Sequence, residues 1–269
     1  MSDLLRAAKL KRSAFYYHLA LSKQEDKYTQ VKESIKAIYH CHKGRYGYRR
    51  ITAVLRQKGH LINHKTVQRL MGVLDLKSLV RPKKYKSYRG DEATVAPDLI
   101  KRDFEAAAPN QKWTTDVTEF NIAGSKVFLS PVMDLYNREI ISFTVSPRPS
   151  LKLVQSMVKM ALRKLKPGEQ PIFHSDQGWQ YRMASYQHIL RERGISQSMS
   201  RKGNCYDNSA MESFFGILKT EFFYLSKFTS IEQFTKELTT YIRYYNCVRI
   251  KLSLGGRSPV QYRTRPLST

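Results

Sequence analysis

Acidic residues are scarce in this chain of 269 residues. Asp and Glu number 22 against 47 Lys and Arg, so the formal net charge is +25. The excess is densest in residues 1–100, which carry 22 basic and 8 acidic side chains. A surface of this charge attracts polyanions, of which nucleic acid is the simplest. The alternative is a basic surface that serves only solubility.

Long apolar runs and closely spaced cysteines are missing as well. No run approaches the roughly 18 apolar residues of a membrane-spanning helix and no signal peptide opens the chain, so we expect no membrane partner. Cys41, Cys205 and Cys247 are far apart, and a reduced cytoplasm is the expected setting. His40 and His42 flank Cys41, but zinc needs four ligands and no second cluster exists. Polar residues at a helix end are the simpler interpretation.

Changes in periodicity and composition divide the chain into regions. Residues 1–27 are interpreted as a partial helix-turn-helix, with two short helices predicted in residues 1–20 and Ser13 capping the second. Residues 28–80 predict three helices. Residues 81–107 are basic, aromatic and interrupted by Gly and Pro, which predicts a linker. Residues 108–265 alternate strands with helices and predict an α/β domain.

The three helices predicted within residues 28–80 have the pattern of a helix-turn-helix domain. The last of them follows Asn63 as its N-cap and buries Val67, Leu70 and Met71. Side chains that reach phosphates and base edges lie on its outer face or precede it: Arg49, Arg50, His64, Lys65, Gln68 and Arg69. We predict that these side chains contact DNA. A generic three-helix core with a solvated basic face is the alternative.

The α/β domain begins with KWTTDVTEF, which is rich in β-branched and aromatic residues and predicts a strand. KVFLSPVMDLY predicts a second strand buried on both faces, and a two-residue turn at Asn137 and Arg138 leads into a third, EIISFTV. An amphipathic helix and the short strand PIFHSD follow, and this order implies parallel pairing. A helix, the strand SQSMS and two further helices complete the domain.

Three acids occupy unusual positions. Asp116 lies inside a β-branched strand, where Asp is disfavoured. Asp176 ends an apolar strand, and ligands of open α/β sheets bind at the carboxyl ends of strands. Glu212 lies near the start of a helix whose other face is apolar. Asp134, in PVMDLY, is a rival that spacing alone does not exclude.

Three carboxylates from separate elements repel one another unless a cation neutralises them. Mg²⁺ takes carboxylate and phosphate oxygens as ligands, and two such ions about 3.5–4 Å apart support phosphodiester cleavage. Three unrelated structural acids are the alternative. Asp207 and Asn208, which precede Glu212, are predicted to cap its helix.

The segments WTTDVTEF, HSDQGWQY and SMSRKGNCYDNSAMESFFGILKTE resemble the D,D-35-E transposases of bacterial insertion sequences, which have a retroviral-integrase-like core. The spacing agrees, since 35 residues lie between Asp176 and Glu212. Similarity extends through GRYGYRRI, INHKTVQRLM, YYNCVRI and SPVQYR and covers nearly the whole chain. The chain looks most like the second-reading-frame product of the insertion-sequence group numbered three.

This resemblance implies an RNase H-like α/β fold. The expected core is a mixed five-stranded sheet flanked by helices, preceded by an all-α helix-turn-helix region. The match selects Asp116, Asp176 and Glu212 as the catalytic and metal-binding residues and drops Asp134. Two Mg²⁺ ions are the implied cofactors, with Mn²⁺ as the alternative.

The implied activity is metal-dependent cleavage of insertion-sequence ends and transfer of the 3′-hydroxyl strand into DNA. Lys219 matches a basic position of the family, and with Arg201 and Lys202 it is expected to bind phosphates. The implied partners are double-stranded DNA of the terminal repeats and the target, further copies of this chain on DNA, and a first-frame DNA-binding protein. The implied location is the bacterial cytoplasm, in association with the nucleoid.

Two other kinds of function compete with transposition. One is a DNA-binding regulator or inactive remnant without catalysis, although a remnant should have a damaged acidic triad and all three acids are present. The other is a structure-selective nuclease that only hydrolyses. A pre-cleaved DNA end distinguishes these, because a transposase joins it to another strand.

Overall fold

The chain forms two compact units, Met1–Ser78 and Leu79–Thr269. The computed structural model describes residue 5 and residues 11–23, 26–80, 96–201 and 205–264. The described part of the first unit is helical, and that of the second combines one sheet with helices.

The first unit contains the predicted three-helix pattern. The helices in its described part are α1 (Arg12–Lys23), α2 (Thr29–Cys41), α3 (Tyr48–Gln57) and α4 (His64–Val73). Ile35 of α2, Ile51 of α3 and Val67 of α4 are fully buried, as helical spacing of apolar residues requires. The Asn63 side chain accepts a hydrogen bond from the Lys65 backbone N–H at 2.9 Å, so the predicted N-cap of α4 is confirmed.

Ser13 and His42 lie in settings of this unit that the sequence did not indicate. Helix α1 begins at Arg12, so Ser13 lies inside its first turn and the predicted cap at Ser13 is wrong. The other helix predicted in residues 1–20 lies almost entirely outside the described residues. His42 is buried and stacks on Tyr46 with ring centroids 3.7 Å apart, which makes it a core residue.

The second unit is built on a mixed sheet of six strands. They are β1 (Lys112–Thr115), β2 (Thr118–Ile122), β3 (Ser125–Asp134), β4 (Ile140–Ser146), β5 (Ile172–Ser175) and β6 (Gln197–Met199). Strands β1 and β2 lie end to end along one edge of β3, and β4 pairs with the other edge, all antiparallel. Strand β5 pairs in parallel with β1, and β6 in parallel with β5. The predicted mixed sheet is confirmed, and it has one strand more than expected because the first predicted strand is interrupted at Asp116 and Val117.

Helices cover both faces of this sheet. The described ones are α5 (Leu151–Leu162), α6 (Trp179–Arg182), α7 (Ala184–Arg191), α8 (Ser209–Glu221), α9 (Ile231–Cys247) and α10 (Pro259–Thr264). Short 3₁₀ turns span Cys205–Asn208, Phe223–Leu225 and Leu252–Leu254. One apolar cluster joins the sheet to α5 and α7, and the other joins it to α8 and α9. The unit is therefore three layers with the sheet in the middle.

The connection from β3 to β4 is longer than the predicted two-residue turn. Residues 135–139 separate the strands. The Asp134 carboxylate accepts a hydrogen bond from the Tyr136 backbone N–H at 3.0 Å, and Arg138 adopts a positive φ of 62°. An acid that bonds to nearby backbone offers the chain an alternative to the strand ladder, so β3 ends at Asp134.

The predicted linker, residues 81–107, is folded from residue 96 onward, and its boundary is corrected accordingly. Ile100 is buried, and the Leu99 backbone N–H donates to Ser198 Oγ at 2.9 Å. The Met199 backbone N–H donates to the Pro97 carbonyl oxygen at 3.3 Å. This segment therefore packs beside β6. Residues 81–95 lie outside the described residues.

A buried ion pair fastens the end of α8. Arg249 donates from Nε and Nη2 to the two carboxylate oxygens of Glu221, each at 2.7 Å, and both side chains are about fully buried. The Tyr241 hydroxyl donates to the same carboxylate at 3.3 Å. Two parallel bonds fix the geometry of the pair and satisfy both charges, which a single contact would not do.

We expect Arg249→Met to lower the free energy of unfolding of the second unit by roughly 3–5 kcal/mol, because it leaves the Glu221 carboxylate buried and unpaired. Replacing both members, as Glu221→Met with Arg249→Met, should recover most of the loss. The measurement is denaturant unfolding followed by tryptophan fluorescence, since both tryptophans, Trp113 and Trp179, lie in this unit. Arg243→Met, which removes an exposed arginine of α9, is the matched control. A single variant as stable as this control would contradict the prediction.

Candidate active site

Asp116 lies at the break between β1 and β2. Its Oδ1 accepts a hydrogen bond from the Val117 backbone N–H at 2.7 Å, which takes that donor away from strand pairing. Strand β1 ends one residue before it and β2 resumes at Thr118. The residue that the strand pattern disfavours is thus the residue at which the strand is interrupted, and its half-buried carboxyl group stands at the carboxyl end of β1.

Asp176 directly follows β5, the parallel neighbour of β1. The pairing aligns Thr114 with His174, so the same register carried two residues further aligns Asp116 with Asp176. Asp176 Oδ1 accepts a hydrogen bond from the Gly178 backbone N–H at 2.9 Å. A Cβ at position 178 would lie only 2.9 Å from that oxygen, so glycine permits this close approach. Two acids therefore stand side by side at the carboxyl end of the sheet.

Glu212 is in the first turn of α8, and Asn208 fixes where this helix starts. The Thr114 hydroxyl donates to Asn208 Oδ1 at 2.7 Å, and Asn208 Nδ2 donates to the Thr115 carbonyl oxygen at 3.2 Å. Glu212 is half-buried, whereas its neighbours Met211 and Phe214 are fully buried against the sheet. The helix thus begins beside the end of β1, next to Asp116.

The prediction that Asp207 and Asn208 cap α8 is wrong, because neither side chain bonds to the first helical amides. Asp207 is buried and accepts hydrogen bonds from Arg102 Nε at 2.8 Å and from Arg201 Nε at 3.0 Å. Burial alone would raise the pKa of Asp207, but the hydrogen bonds from Arg201 and Arg102 outweigh it and hold the pKa below its usual value. Asp207 is therefore an ionised anchor for two segments of the chain.

His174 connects β5 to β6 and to the turn before α8, and the sequence did not indicate this role. Its Nδ1 lies 2.9 Å from Ser198 Oγ of β6, and its Nε2 lies 2.8 Å from the carbonyl oxygen of Asp207. Burial lowers the pKa of His174, so the ring is neutral and can serve each contact in one tautomer. A histidine in an otherwise apolar strand was the only signal available in the sequence.

Two of the predicted acids, Asp176 and Glu212, act electrostatically on the third, Asp116. Burial and the negative charges of Asp176 and Glu212 together raise the pKa of Asp116 to about 8, against the opposing effects of the Val117 backbone hydrogen bond and of Lys219. Burial raises the pKa of Asp176 as well. Charges influence a pKa in this way when they are near one another in a poorly solvated place. Within the described ranges, no group of three or more His, Cys, Asp or Glu side chains is arranged as a formed metal site.

Asp134, the rival acid, has a structural environment. It is fully buried, forms an ion pair with Arg263 and accepts backbone hydrogen bonds from Asn110 at 2.9 Å and from Tyr136 at 3.0 Å. Both of its carboxylate oxygens are thus already bonded to protein groups. It joins the start of β1 to the turn after β3 and to α10, away from the carboxyl end of β1.

The predicted phosphate-binding residues have different settings. Lys219 and Glu212 line one cleft with a volume of about 520 Å³ along α8. Lys219 Nζ lies 5.5 Å from the centre of the Phe120 ring. Arg201 donates from Nε and Nη2 to Asp207, which leaves only part of its guanidinium for another ligand. Lys202 lies outside the described residues.

The chain matches known protein families. Residues 106–205 and 212–267 match two models described as integrase core domain, and residues 25–84 match an HTH-like domain. The chain is 54% identical to InsK of insertion sequence element IS150 from Escherichia coli strain K12, named as a transposase, over 98% of this chain and 94% of the relative. It is 37% identical to the transposase InsF of insertion sequence IS3A from the same organism, over 84% of this chain and 79% of that protein.

The chain belongs to the DDE transposases of the insertion-sequence group numbered three. It is thus a DNA transposase, a polynucleotidyl transferase, and enzymes with this core use divalent metal ions. A chain of the simian T-cell lymphotropic virus intasome shares the fold, with a TM-score of 0.53 and 17% identity over 88% of the transposase and 76% of that chain. None of the transposase helices in the described ranges is long and apolar enough to cross a membrane.

In the helical unit of the transposase, α4 presents the predicted DNA-contacting side chains to solvent. His64, Lys65, Gln68 and Arg69 are all exposed, and the Arg69 guanidinium lies 5.5 Å from the centre of the Tyr28 ring. Arg49 is exposed as well. Arg50 differs from the rest, since it is half-buried and its guanidinium lies 5.3 Å from the centre of the buried Tyr46 ring. This contact gives Arg50 a packing role.

The raised pKa of Asp116 predicts how the stability of the metal-free transposase depends on pH. The unfolded chain loses this proton near pH 4, whereas the folded protein keeps it up to about pH 8. The free energy of unfolding should therefore fall between about pH 4 and pH 8. Asp116→Asn should reduce this fall, because the amide cannot ionise and still accepts the Val117 hydrogen bond.

The measurement is urea unfolding of metal-free protein at several pH values, followed by tryptophan fluorescence. Glu119→Gln is the matched control, because it removes an exposed acid of β2 only three residues away. Its pH dependence should equal that of the wild type. A pH dependence for Asp116→Asn that also equals the wild type would contradict the electrostatic account of the site.

Proposed function

We propose that Asp116, Asp176 and Glu212 are the catalytic carboxylates with which this transposase cleaves the ends of its insertion sequence and joins them to new DNA. The observation that carries the proposal is the effect of Asp176 and Glu212 on Asp116, whose pKa burial and these two charges raise to about 8. The fully buried acids of the described chain, Asp134, Asp207 and Glu221, are paired with arginines.

The donor set fits divalent cations. All three candidate ligands are carboxylates, the oxygen donors that Mg²⁺ and Mn²⁺ accept, and a bound cation would relieve the repulsion around Asp116. We assign two Mg²⁺ ions to Asp116, Asp176 and Glu212. Such ions supply charge neutralisation and stabilise the charge that develops on the oxygens of a reacting phosphate.

The chain itself would position the reactants. Asp116 and Asp176 lie at the carboxyl ends of the paired strands β1 and β5. Glu212 lies beside them on a helix whose start is hydrogen-bonded to β1 through Asn208. Lys219 lines the cleft with Glu212 and would bind a phosphate oxygen of the DNA strand. Fixed groups of this kind accelerate a reaction because they need no reorganisation when charge develops.

Two phosphoryl transfers would occur in sequence. In the first, a water loses a proton and its oxygen bonds to the phosphorus at the end of the element, the bond from phosphorus to the 3′-oxygen breaks, and the 3′-oxygen takes up a proton. In the second, that 3′-hydroxyl loses its proton and attacks another phosphodiester, whose 3′-oxygen leaves and takes up a proton. Each step exchanges one phosphorus–oxygen bond for another, so no covalent enzyme intermediate is needed.

Assembly on DNA belongs to the same proposal. Cleaving and joining DNA at the ends of one element requires more than one active site near the target, and we infer a homo-oligomer on the terminal repeats, working in the bacterial cytoplasm at the nucleoid. The resemblance to the second-frame products of this group supports a first-frame DNA-binding protein as a further partner. Assays therefore include the chain alone and the chain fused to that protein.

Asp176→Asn and Glu212→Gln should each reduce nicking of element-end DNA in Mg²⁺ by roughly a hundredfold or more, the scale of losing an electrostatic catalytic group. Glu119→Gln, which removes an exposed carboxylate near the site, should nick as the wild type does. Nicking by either variant at the wild-type rate would overturn the assignment. A pre-cleaved end adds a second readout, because joined products support transposition and hydrolysis alone supports a nuclease.

For the helical unit, we propose that α4 reads the terminal repeats. Lys65→Ala and Arg69→Ala should weaken binding across all DNA sequences and reduce the slope of log K against log salt by about 1 each, as expected for phosphate contacts. Gln68→Ala should instead reduce the preference for the repeat over other DNA. Fluorescence anisotropy at several salt concentrations measures both effects. Lys36→Ala, an exposed lysine of α2, is the control and should change neither.

A further inference from the structure

A second pocket lies at the start of α8. Its volume is about 260 Å³, several times the roughly 30 Å³ that one water molecule occupies in the liquid. Its walls come from the start of α8, the turn between β3 and β4, α9 and the segment after α9. Ser209 and Ser213 line both this pocket and the cleft that contains Glu212. The pocket therefore adjoins the candidate active site.

Two buried hydrogen-bond donors in this pocket have no partner among the described residues. Tyr245 is fully buried, and its hydroxyl bonds to no group among the described residues. Arg138 donates from Nη2 to the Phe104 carbonyl oxygen at 3.1 Å, but its buried Nη1 has no partner in the described chain either. Leaving buried donors unsatisfied costs free energy, so two of them in one pocket indicate an acceptor that binds there.

The charge around the pocket is positive. Lys251 lines it, with Nζ 5.1 Å from the centre of the Tyr245 ring. The first turn of α8 also lines it, and no side chain caps that helix end because Asn208 is bonded to β1. The helix dipole at such an end favours an anion.

The acids near Arg138 do not supply the missing hydrogen-bond acceptor in the pocket. Glu105 and Asp134 are the acids whose charges act on Arg138, but neither lines the pocket, and Asp134 is paired with Arg263. Burial lowers the pKa of Arg138 in spite of these acids, as expected for a guanidinium whose charge is incompletely compensated. Burial raises the pKa of Tyr245, so its hydroxyl keeps the proton that it would donate.

We propose that this phosphate pocket, formed by Arg138, Tyr245, Lys251 and the start of α8, binds one backbone phosphate of the DNA strand in the active site. The proposal rests on the proposed function for its choice of ligand, since a free phosphate has the same chemistry. The DNA strand is favoured because the pocket shares Ser213, an exposed residue, with the cleft of Glu212. A strand along α8 would then meet Lys219 and this pocket at different phosphates.

The experiment measures binding of element-end DNA in which single phosphates are replaced, one at a time, by uncharged methylphosphonates. All proteins carry Glu212→Gln, so binding is read without cleavage. One linkage should bind about tenfold more weakly than unmodified DNA, the size expected for a hydrogen bond to a charged group. Tyr245→Phe should bind unmodified DNA about tenfold more weakly and lose most of its sensitivity to that linkage.

The variants separate binding from folding. Tyr245→Phe removes a hydroxyl with no partner among the described residues, so it should unfold at the same denaturant concentration as the parent or a higher one. Arg138→Gln tests the second donor and should act on the same linkage. Arg243→Gln is the control, because it removes an exposed arginine of α9 two residues from Tyr245 and should leave the sensitive linkage unchanged.

Two results would overturn the proposal. One is a scan in which no linkage loses its effect in Tyr245→Phe or Arg138→Gln. The other is thermal stabilisation by inorganic phosphate that depends on Tyr245 without any sensitive linkage, since the pocket would then take a free anion. Failure of the wild type to cleave DNA would count against the proposed function alone, because the scan reads binding.

Discussion

The crowding of three carboxyl groups at the carboxyl ends of β1 and β5 is the constraint on which the rest of the second unit depends. Burial and the charges of Asp176 and Glu212 make ionisation of Asp116 unfavourable, so the metal-free site would relax if its supports could move. Parallel pairing of β1 with β5 fixes the two aspartates, and Asn208 fixes the start of the helix that carries Glu212. Arg249 holds the other end of that helix through Glu221.

Local patterns in the sequence were sufficient for most elements, whereas the family resemblance was needed to choose three acids out of four candidates. Periodicity of 3.6 residues indicated the three helices α2 to α4, because each of them buries one apolar stripe. Asp116 stood out as an acid in a strand, and the structure shows that the strand is interrupted there. The spacing of 35 residues from Asp176 to Glu212 carried the resemblance, while their juxtaposition is a property of the fold.

What the sequence could not provide are contacts between distant residues. Asp207 looked like a helix cap, since an acid before a helix usually is one, but Arg102 lies 105 residues before it and takes the carboxylate. Residues 96–107 looked like a linker because their partners, among them Ser198, belong to the last strand of the sheet. His174 gave almost no signal, since its role depends on Ser198 and on the backbone of Asp207. Each of these depends on tertiary pairing rather than on local propensity.

The large positive charge also has a more specific meaning once the ion pairs are known. Arg249 and Arg263 neutralise buried acids, and Arg102 and Arg201 share Asp207, so these arginines contribute to folding and much less to the surface field. Arg138 stands apart from them, because within the described residues it forms no ion pair with an acid and its buried Nη1 has no hydrogen-bond partner. Net charge alone cannot distinguish an arginine that already has its anion from one that still needs one. That distinction, made residue by residue, is what directs attention from the surface of this transposase to the pocket beside α8.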